Sequence, residues 1–284
     1  MKFLVAFILV LNVFTLPAQD RNKRKKKFKL PEIDLTHWKV TIPSGTGKGG
    51  AISVSPPEIV NYATNTSLLP YMYNDSVSGA LVFYATPTTA TTANTKYSRS
   101  ELREQIDPGN DKINWTFSDG GTLKAKMQMG EVSKDENGKY HKVIIAQIHG
   151  RLSEEQKSLI GQKDNNAPPV LKIYWQDGKI KVKTKELIYP DIDSVGILHE
   201  SAWGDDQGKN FKYEVGFKKF NIEIKVTDGK MLISLNGNEY FVYENHSIKR
   251  WGVFENYFKI GNYFQTRDQG AFAHVKVFDI EVSH

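Results

Sequence analysis

No cysteine occurs among the 284 residues. That excludes a disulfide framework and a lipid-modified cysteine anchor, so the fold must be held by its core. A membrane span is missing too: the apolar run from Phe3 to Leu16 is too short to cross a bilayer. Following Met1-Lys2 and preceding Pro17-Ala18-Gln19, that run has the layout of a secretory signal peptide. Residues 1–18 are therefore expected to be removed, leaving a secreted or periplasmic protein with no stable membrane insertion. No internal repeat and no Pro/Gly/Ser-rich linker divides the rest, so residues 31–284 are expected to form one domain. His37, His141, His199, His246, His274 and His284 lack the close paired spacing of metal ligands, and no metal or other cofactor is expected. Gly45-Thr46-Gly47-Lys48 lacks the spacing and the following hydroxyl residue of a phosphate loop.

A net charge of +6 suggests a nucleic-acid partner until its position is considered. Arg21 to Lys29 holds seven basic residues, and setting these aside with Lys2 and Asp20 leaves 30 basic residues against 31 acidic ones. The folded part is about neutral. Residues 19–30 are accordingly expected to be a disordered, solvated basic tail rather than a nucleic-acid-binding element.

Strand signals dominate the remainder of the chain. Ala80–Ala85, Gly121–Met129, Leu171–Trp175, Lys179–Thr184, Phe220–Val226, Met231–Leu235, Tyr240–Tyr243 and Ala273–Val282 are β-rich runs, several of them alternating. Asp177-Gly178, Asp228-Gly229 and Asn236-Gly237 sit between such runs and tolerate the positive φ of tight hairpins. Helical signals are few. Ser153-Glu154-Glu155-Gln156 resembles a capping box leading into about two turns. Two long irregular segments, Gly150–Pro169 and Tyr189–Gly208, are expected to be lids or walls. An all-β chain of this kind closes into a sandwich or a barrel. Trp38, Trp115, Trp175, Trp203 and Trp251 are expected in its core rather than against a sugar.

Three strands carry chemistry on one face. In Ser98-Arg99-Ser100-Glu101-Leu102-Arg103-Glu104-Gln105, alternation places Arg99, Glu101, Arg103 and Gln105 on the same side. In Val143 to His149, Ile144, Ala146 and Ile148 share one parity and Ile145, Gln147 and His149 the other. In Tyr257 to Gln265, Phe258, Ile260 and Phe264 take one face and Tyr257, Lys259, Tyr263 and Gln265 the other, with Asn262 breaking the apolar parity. Such strands can line a polar groove over a hydrophobic core.

The three stretches resemble, in order, the signature motifs of the alginate lyases of polysaccharide lyase family 7: Arg-(Ser/Thr)-Glu-Leu-Arg, Gln-(Ile/Val)-His and Tyr-Phe-Lys-x-Gly-x-Tyr-x-Gln. The resemblance runs from about Leu35 to His284 and includes an opening strand, Trp38-Lys39-Val40-Thr41-Ile42-Pro43. It implies a β-jelly roll of two stacked antiparallel sheets with a concave substrate groove. It also implies an enzyme that cleaves alginate, an acidic polysaccharide, by β-elimination. In that scheme Arg99 and Gln147 neutralise the uronate carboxylate, His149 is the base and Tyr263 the acid. Glu101, Arg103, Tyr257, Lys259 and Gln265 match substrate-binding positions, and Ile148 between Gln147 and His149 is associated with guluronate-containing chains.

The residue types suit those roles. Arginine and amide donors stabilise an enolate-like anion. A histidine suits a base near neutrality. A cation such as Lys259 near Tyr263 is expected to lower the phenol's pKa. Glu101, between two arginines, is a candidate for holding both in place. A non-catalytic carbohydrate-binding jelly roll is the alternative reading, but binding alone needs neither base nor phenol. A glycoside hydrolase would need two carboxylates across the groove, and the motif faces offer chiefly Glu101. The protein is expected to act as a monomer.

Overall fold

The computed structural model describes residues 31–45 and 50–284. The expected signal peptide and basic tail lie outside the described residues. Among those residues two antiparallel sheets face each other. The first comprises β1 (Trp38–Ile42), β2 (Ile52–Val54), β5 (Arg99–Glu104), β6 (Trp115–Thr116), β8 (Val143–Arg151), β9 (Asn166–Gln176), β10 (Lys179–Leu187), β11 (Trp203–Asp205), β12 (Lys209–Glu214) and β16 (Glu255–Phe264). The second comprises β3 (Met72–Asp75), β4 (Ala80–Ala85), β7 (Gly121–Val132), β13 (Phe220–Thr227), β14 (Lys230–Leu235), β15 (Glu239–Tyr243) and β17 (Ala273–Ser283).

Spatial order in the first sheet is β11-β10-β9-β8-β16-β5-β1-β2, with β12 also on β10 and β6 on β16. The second runs β15-β14-β13-β7-β17-β4-β3. The three motif strands β8, β16 and β5 are therefore adjacent, although β16 follows β5 by about half the chain. The hairpins β9–β10 and β14–β15 turn through Asp177-Gly178 and Asn236-Gly237, and all four turn residues have positive φ. This is the backbone that matches the right-handed twist of the flanking strands.

Alternation on both sheets sends one parity inward. Val40, Leu102, Ile148, Phe258 and Phe264 meet Phe83, Leu123, Met127, Ile224 and Val275 in one hydrophobic cluster. All five tryptophans are buried there. Asn262 occupies an inward position of β16, and its amide donates to the carbonyls of Phe83 and Ala273 at 3.1 and 2.7 Å. The polar break in the motif is thus a tie between the sheets, with the buried amide hydrogens satisfied as burial requires.

On the same inward side, Glu104 accepts from Trp115 Nε1 at 3.0 Å and the Phe258 amide at 2.9 Å, and lies 2.6 Å from His284 Nε2. Burial opposes the charge on His284, but the Glu104 carboxylate outweighs it and raises the imidazole's pKa. A raised folded-state pKa gives stability that is fully present below the unfolded value of about 6.5 and is lost as pH rises through the folded value. The melting temperature of the wild type relative to His284→Ala is therefore expected to shrink as pH rises through that window. A constant difference between the two proteins across it would contradict the pairing.

Candidate active site

The register of β16 against its neighbours assembles the site. Tyr263 faces Arg99, Gly261 faces Glu101 and Lys259 faces Arg103 on β5. On its other side Lys259 faces Gln147 and Tyr257 faces His149 on β8. Eight of the nine expected site residues thus share one sheet face. Gln265 follows the end of β16 and donates to the Tyr263 carbonyl at 3.1 Å. Gln105, past the end of β5, is tied to Asp111 Oδ1 at 2.9 Å.

Two irregularities make this possible. Ile260 pairs with Ala146 but Tyr263 pairs with Ile144, so β16 carries one more residue than β8 at Gly261-Asn262. Opposite them β8 has its own extra residue against β9, between Ile144 and Ala146. Strict alternation places Ile144 inward and Ile145 on the functional face. The bulge reverses both: Ile145 joins the core cluster, and Ile144 lies between Tyr263 and Tyr174 on the polar face. Gly261 has φ +137°, and a Cβ there would lie 2.8 Å from the Ser100 carbonyl oxygen and 3.0 Å from Glu101 Cα. The motif's glycine is required by backbone, since neither atom belongs to a flexible side chain.

Glu101 is the hub. It is wholly buried, its Oε2 accepts from Arg99 Nη1 at 2.9 Å and from Lys259 Nζ at 2.6 Å, and its Oε1 accepts from Gln147 Nε2 at 2.6 Å. Burial works against this charge, yet Lys259 and Arg99 outweigh it and hold the carboxyl below its usual range. Glu101 therefore fixes three other site groups. Its partner opposite Arg99 is Lys259, not Arg103 as expected from their spacing. Arg103 instead donates to the Glu104 and Asp111 carbonyls and to Asn114 Oδ1, at 2.7, 3.0 and 2.7 Å. Its guanidinium lies 4.1 Å from the centre of the Tyr257 ring, which also stacks on His149 with ring centres 5.2 Å apart.

His149 Nδ1 is 3.0 Å from the Gly150 carbonyl, a contact that needs a proton on Nδ1 and leaves the Nε2 lone pair free. Burial, Lys259 and Arg99 push its pKa down to about 3, well below the near-neutral value expected of a base. It is a neutral imidazole at any ordinary pH. Tyr263 also departs from expectation. Burial raises its pKa against the opposing field of Arg99, whose guanidinium lies 3.8 Å from the ring centre. Lys259 is not the cation that the phenol feels most; the Arg99 pairing across β5 takes that place. Side-chain hydrogen bonds from Thr95 and Gln265 also bear on the phenol. Lys259 is lowered to about 8 by burial and by Arg99, against the pull of Glu101.

Above these groups lies a cavity of about 380 Å³ lined by Arg99, Arg103, His149, Tyr257 and Lys259. Gln147 and Tyr263 do not line it; each pairs with a residue that does, Gln147 with Lys259 and Tyr263 with Arg99. Sequence reasoning passed over Lys39 and Arg151, which also line it. Both share parity with functional neighbours, Lys39 with Thr41 on β1 and Arg151 with Gln147 and His149 on β8. Lys39 pairs with Asp111, and Arg151 with Glu255 at 2.6 Å. Residues 92–95 and 164–166 supply the rim, where Asn94 Nδ2 reaches Asp164 Oδ2 at 3.3 Å.

The first long segment thus does form a wall, but less of it is irregular than expected. Its helix α1 (Glu154–Leu159) is capped by Ser153 and Gln156, and β9 already begins at Asn166. Pro168 and Pro169 obscured that start; they are accommodated where the β8–β9 register shifts beside His149. The second segment, around Ile197, Leu198 and Trp203, is packed into the core edge beside β10 and lines no part of this cavity. Among the described residues, no three or more His, Asp or Glu side chains gather as a metal cluster, and no helix is long and apolar enough to cross a membrane.

A β-sandwich with an imidazole, a phenol and clustered cations on one sheet face fits a polysaccharide lyase, and comparisons with known proteins establish the class. The family model described as alginate lyase matches residues 33–284, and the chain belongs to that family, polysaccharide lyase family 7. The crystal structure of alginate lyase A1-II', a member of polysaccharide lyase family 7, is 31% identical over 89% of this chain and 96% of its own, with a TM-score of 0.69. A complex of the same lyase with a product labelled GGG gives 30% identity and a TM-score of 0.70 over 89% of this chain and 96% of its own. The alginate lyase PA1167 from Pseudomonas aeruginosa shares the fold at 22% identity, with a TM-score of 0.64 over 88% of this chain and 99% of its own. A search of curated protein sequences gives no match.

Proposed function

We propose that this lyase is secreted or periplasmic and cleaves alginate by metal-independent β-elimination. The observation that carries the mechanism is the pairing, on one sheet face, of a neutral imidazole with a free Nε2 and a protonated phenol, beside Arg99, Gln147 and Lys259. A uronate carboxylate placed against Arg99 and the remaining amide hydrogen of Gln147 has its charge neutralised, which acidifies the proton on the carbon that bears it. His149 Nε2 takes that proton, and the incoming carboxylate offsets the cationic fields that add to burial in making His149 a weak base. The carbon–oxygen bond to the neighbouring sugar breaks as the double bond forms, and the Tyr263 hydroxyl gives its proton to the departing oxygen. Proton return from His149 to the phenolate closes the cycle and leaves an unsaturated uronate at the new non-reducing end. The related A1-II' lyase, with one histidine changed to asparagine and one tyrosine to phenylalanine, was crystallised with a substrate labelled GGMG, which supports this reading.

Guluronate-containing or mixed blocks are the proposed preference. Ile148, the residue that marks it in the family, is buried in the core rather than facing the groove, so its influence is exerted through the placement of Gln147 and His149. Mass spectrometry of products formed in excess chelator tests the proposal. Unsaturated oligouronates lacking the water of hydrolysis are expected, at an unchanged rate. Hydrated products, or a rate lost in chelator and restored by a divalent ion, would overturn it.

A further inference from the structure

The cation pattern of the site continues across the sheet, beyond the cavity. Successive pairings place Lys183 (β10), Lys172 (β9), Gln147, Lys259, Arg103 and Lys39 in one row running across the strands. The adjoining row runs Lys181, Tyr174, Ile144, Tyr263 and Arg99. Neighbouring members of such rows are separated by the interstrand spacing of about 4.8 Å.

At the β9–β10 end the charges are poorly matched. Asp205 accepts from both Lys172 and Lys185, at 2.8 Å each. Lys142, Lys181 and Lys183 take part in none of the ion pairs found among the described residues. Lys142 Nζ lies 5.2 Å from the Tyr174 ring centre, and burial together with the fields of Lys183 and Lys181 lowers its pKa. Three unmatched cations close enough to repel one another oppose folding slightly and are retained without an internal counter-charge. A polyanion lying along the rows would supply it.

We propose that Lys142, Lys181 and Lys183 form a distal binding surface for carboxylates of the same polyuronate chain that is cut at His149 and Tyr263. The inference rests on the lyase reading and adds to it a dependence on chain length. A long chain reaches from the cavity past Tyr263 to these lysines; the shortest cleavable oligomer does not. The surface therefore tightens binding of polymer and leaves the bond-breaking step alone.

The test is the triple variant Lys142→Gln/Lys181→Gln/Lys183→Gln, assayed on polymeric alginate and on the shortest oligouronate the wild type cuts. Each exposed charge contributes a few-fold at most, so KM for polymer is expected to rise about tenfold, with kcat within about twofold and a weaker dependence on salt. On the short oligomer kcat/KM should move less than about twofold. An unchanged KM on polymer, or equal losses on both substrates, would overturn the surface. Lys142→Gln alone, at an exposed position, should show part of the same shift and serves if the triple variant does not fold. A wild type that leaves alginate uncut would overturn the lyase reading instead. In that event affinity electrophoresis in alginate-containing gel decides the surface, with weaker retardation of the variant expected and equal retardation overturning it.

Discussion

Tyr263→Phe is expected to lower the rate of alginate cleavage by roughly 10²–10⁴-fold on every block type, the range typical of a general acid or base. The substitution removes one oxygen and leaves the ring, so the guanidinium of Arg99 keeps its aromatic partner 3.8 Å away. Gly261 and Asn262 still carry the extra residue opposite β8, and residue 263 keeps its place opposite position 99. A loss of activity with unchanged thermal stability therefore reports chemistry and not folding. The physical basis is the raised pKa of the phenol: burial keeps it protonated at neutral pH, as a proton donor must be. A variant with near-normal rates would place the leaving-group acid elsewhere and remove the central element of the mechanism.

His149→Ala is expected to reduce guluronate cleavage by a similar roughly 10²–10⁴-fold and mannuronate cleavage by less. The two uronates are epimers at the carbon that loses the proton, so the proton lies on opposite sides relative to the leaving oxygen. A base on the far side serves one of them; a tyrosine already beside the leaving oxygen can take the proton of the other. His149 and Tyr263 stand on different strands, opposite Tyr257 and Arg99 respectively, so the two proton-transfer groups occupy different places on the sheet face. Equal ratios of rates on the two block types in variant and wild type would contradict this division.

The site was legible in the sequence because strand parity is local: Arg99, Glu101 and Arg103 needed only alternation, and so did Gln147 with His149. Adjacency of the three strands came from the order of the motifs and the family resemblance, since nothing local says that β16 inserts between β5 and β8. What alternation could not give was the pair of bulges. The extra residue in β8 reverses the faces of Ile144 and Ile145, and nothing in Ile145 announces it. Electrostatics were misread for a related reason. Lys259 and Tyr263 share a strand, but the cation stacked on Tyr263 comes from β5, and burial, with the added fields of Lys259 and Arg99, brings His149 to a pKa of about 3. The prolines of β9 hid a strand because proline is ordinarily excluded from a ladder interior, and the register shift that admits them is visible only in the pairing.

The most direct measurement is ultraviolet absorbance on mixing the protein with alginate. Elimination forms a conjugated unsaturated uronate, so absorbance is expected to rise in step with new chain ends in the wild type and to stay flat with Tyr263→Phe. New chain ends without absorbance would show hydrolysis, and alginate binding with neither signal would show a carbohydrate-binding module; each result would contradict the lyase mechanism.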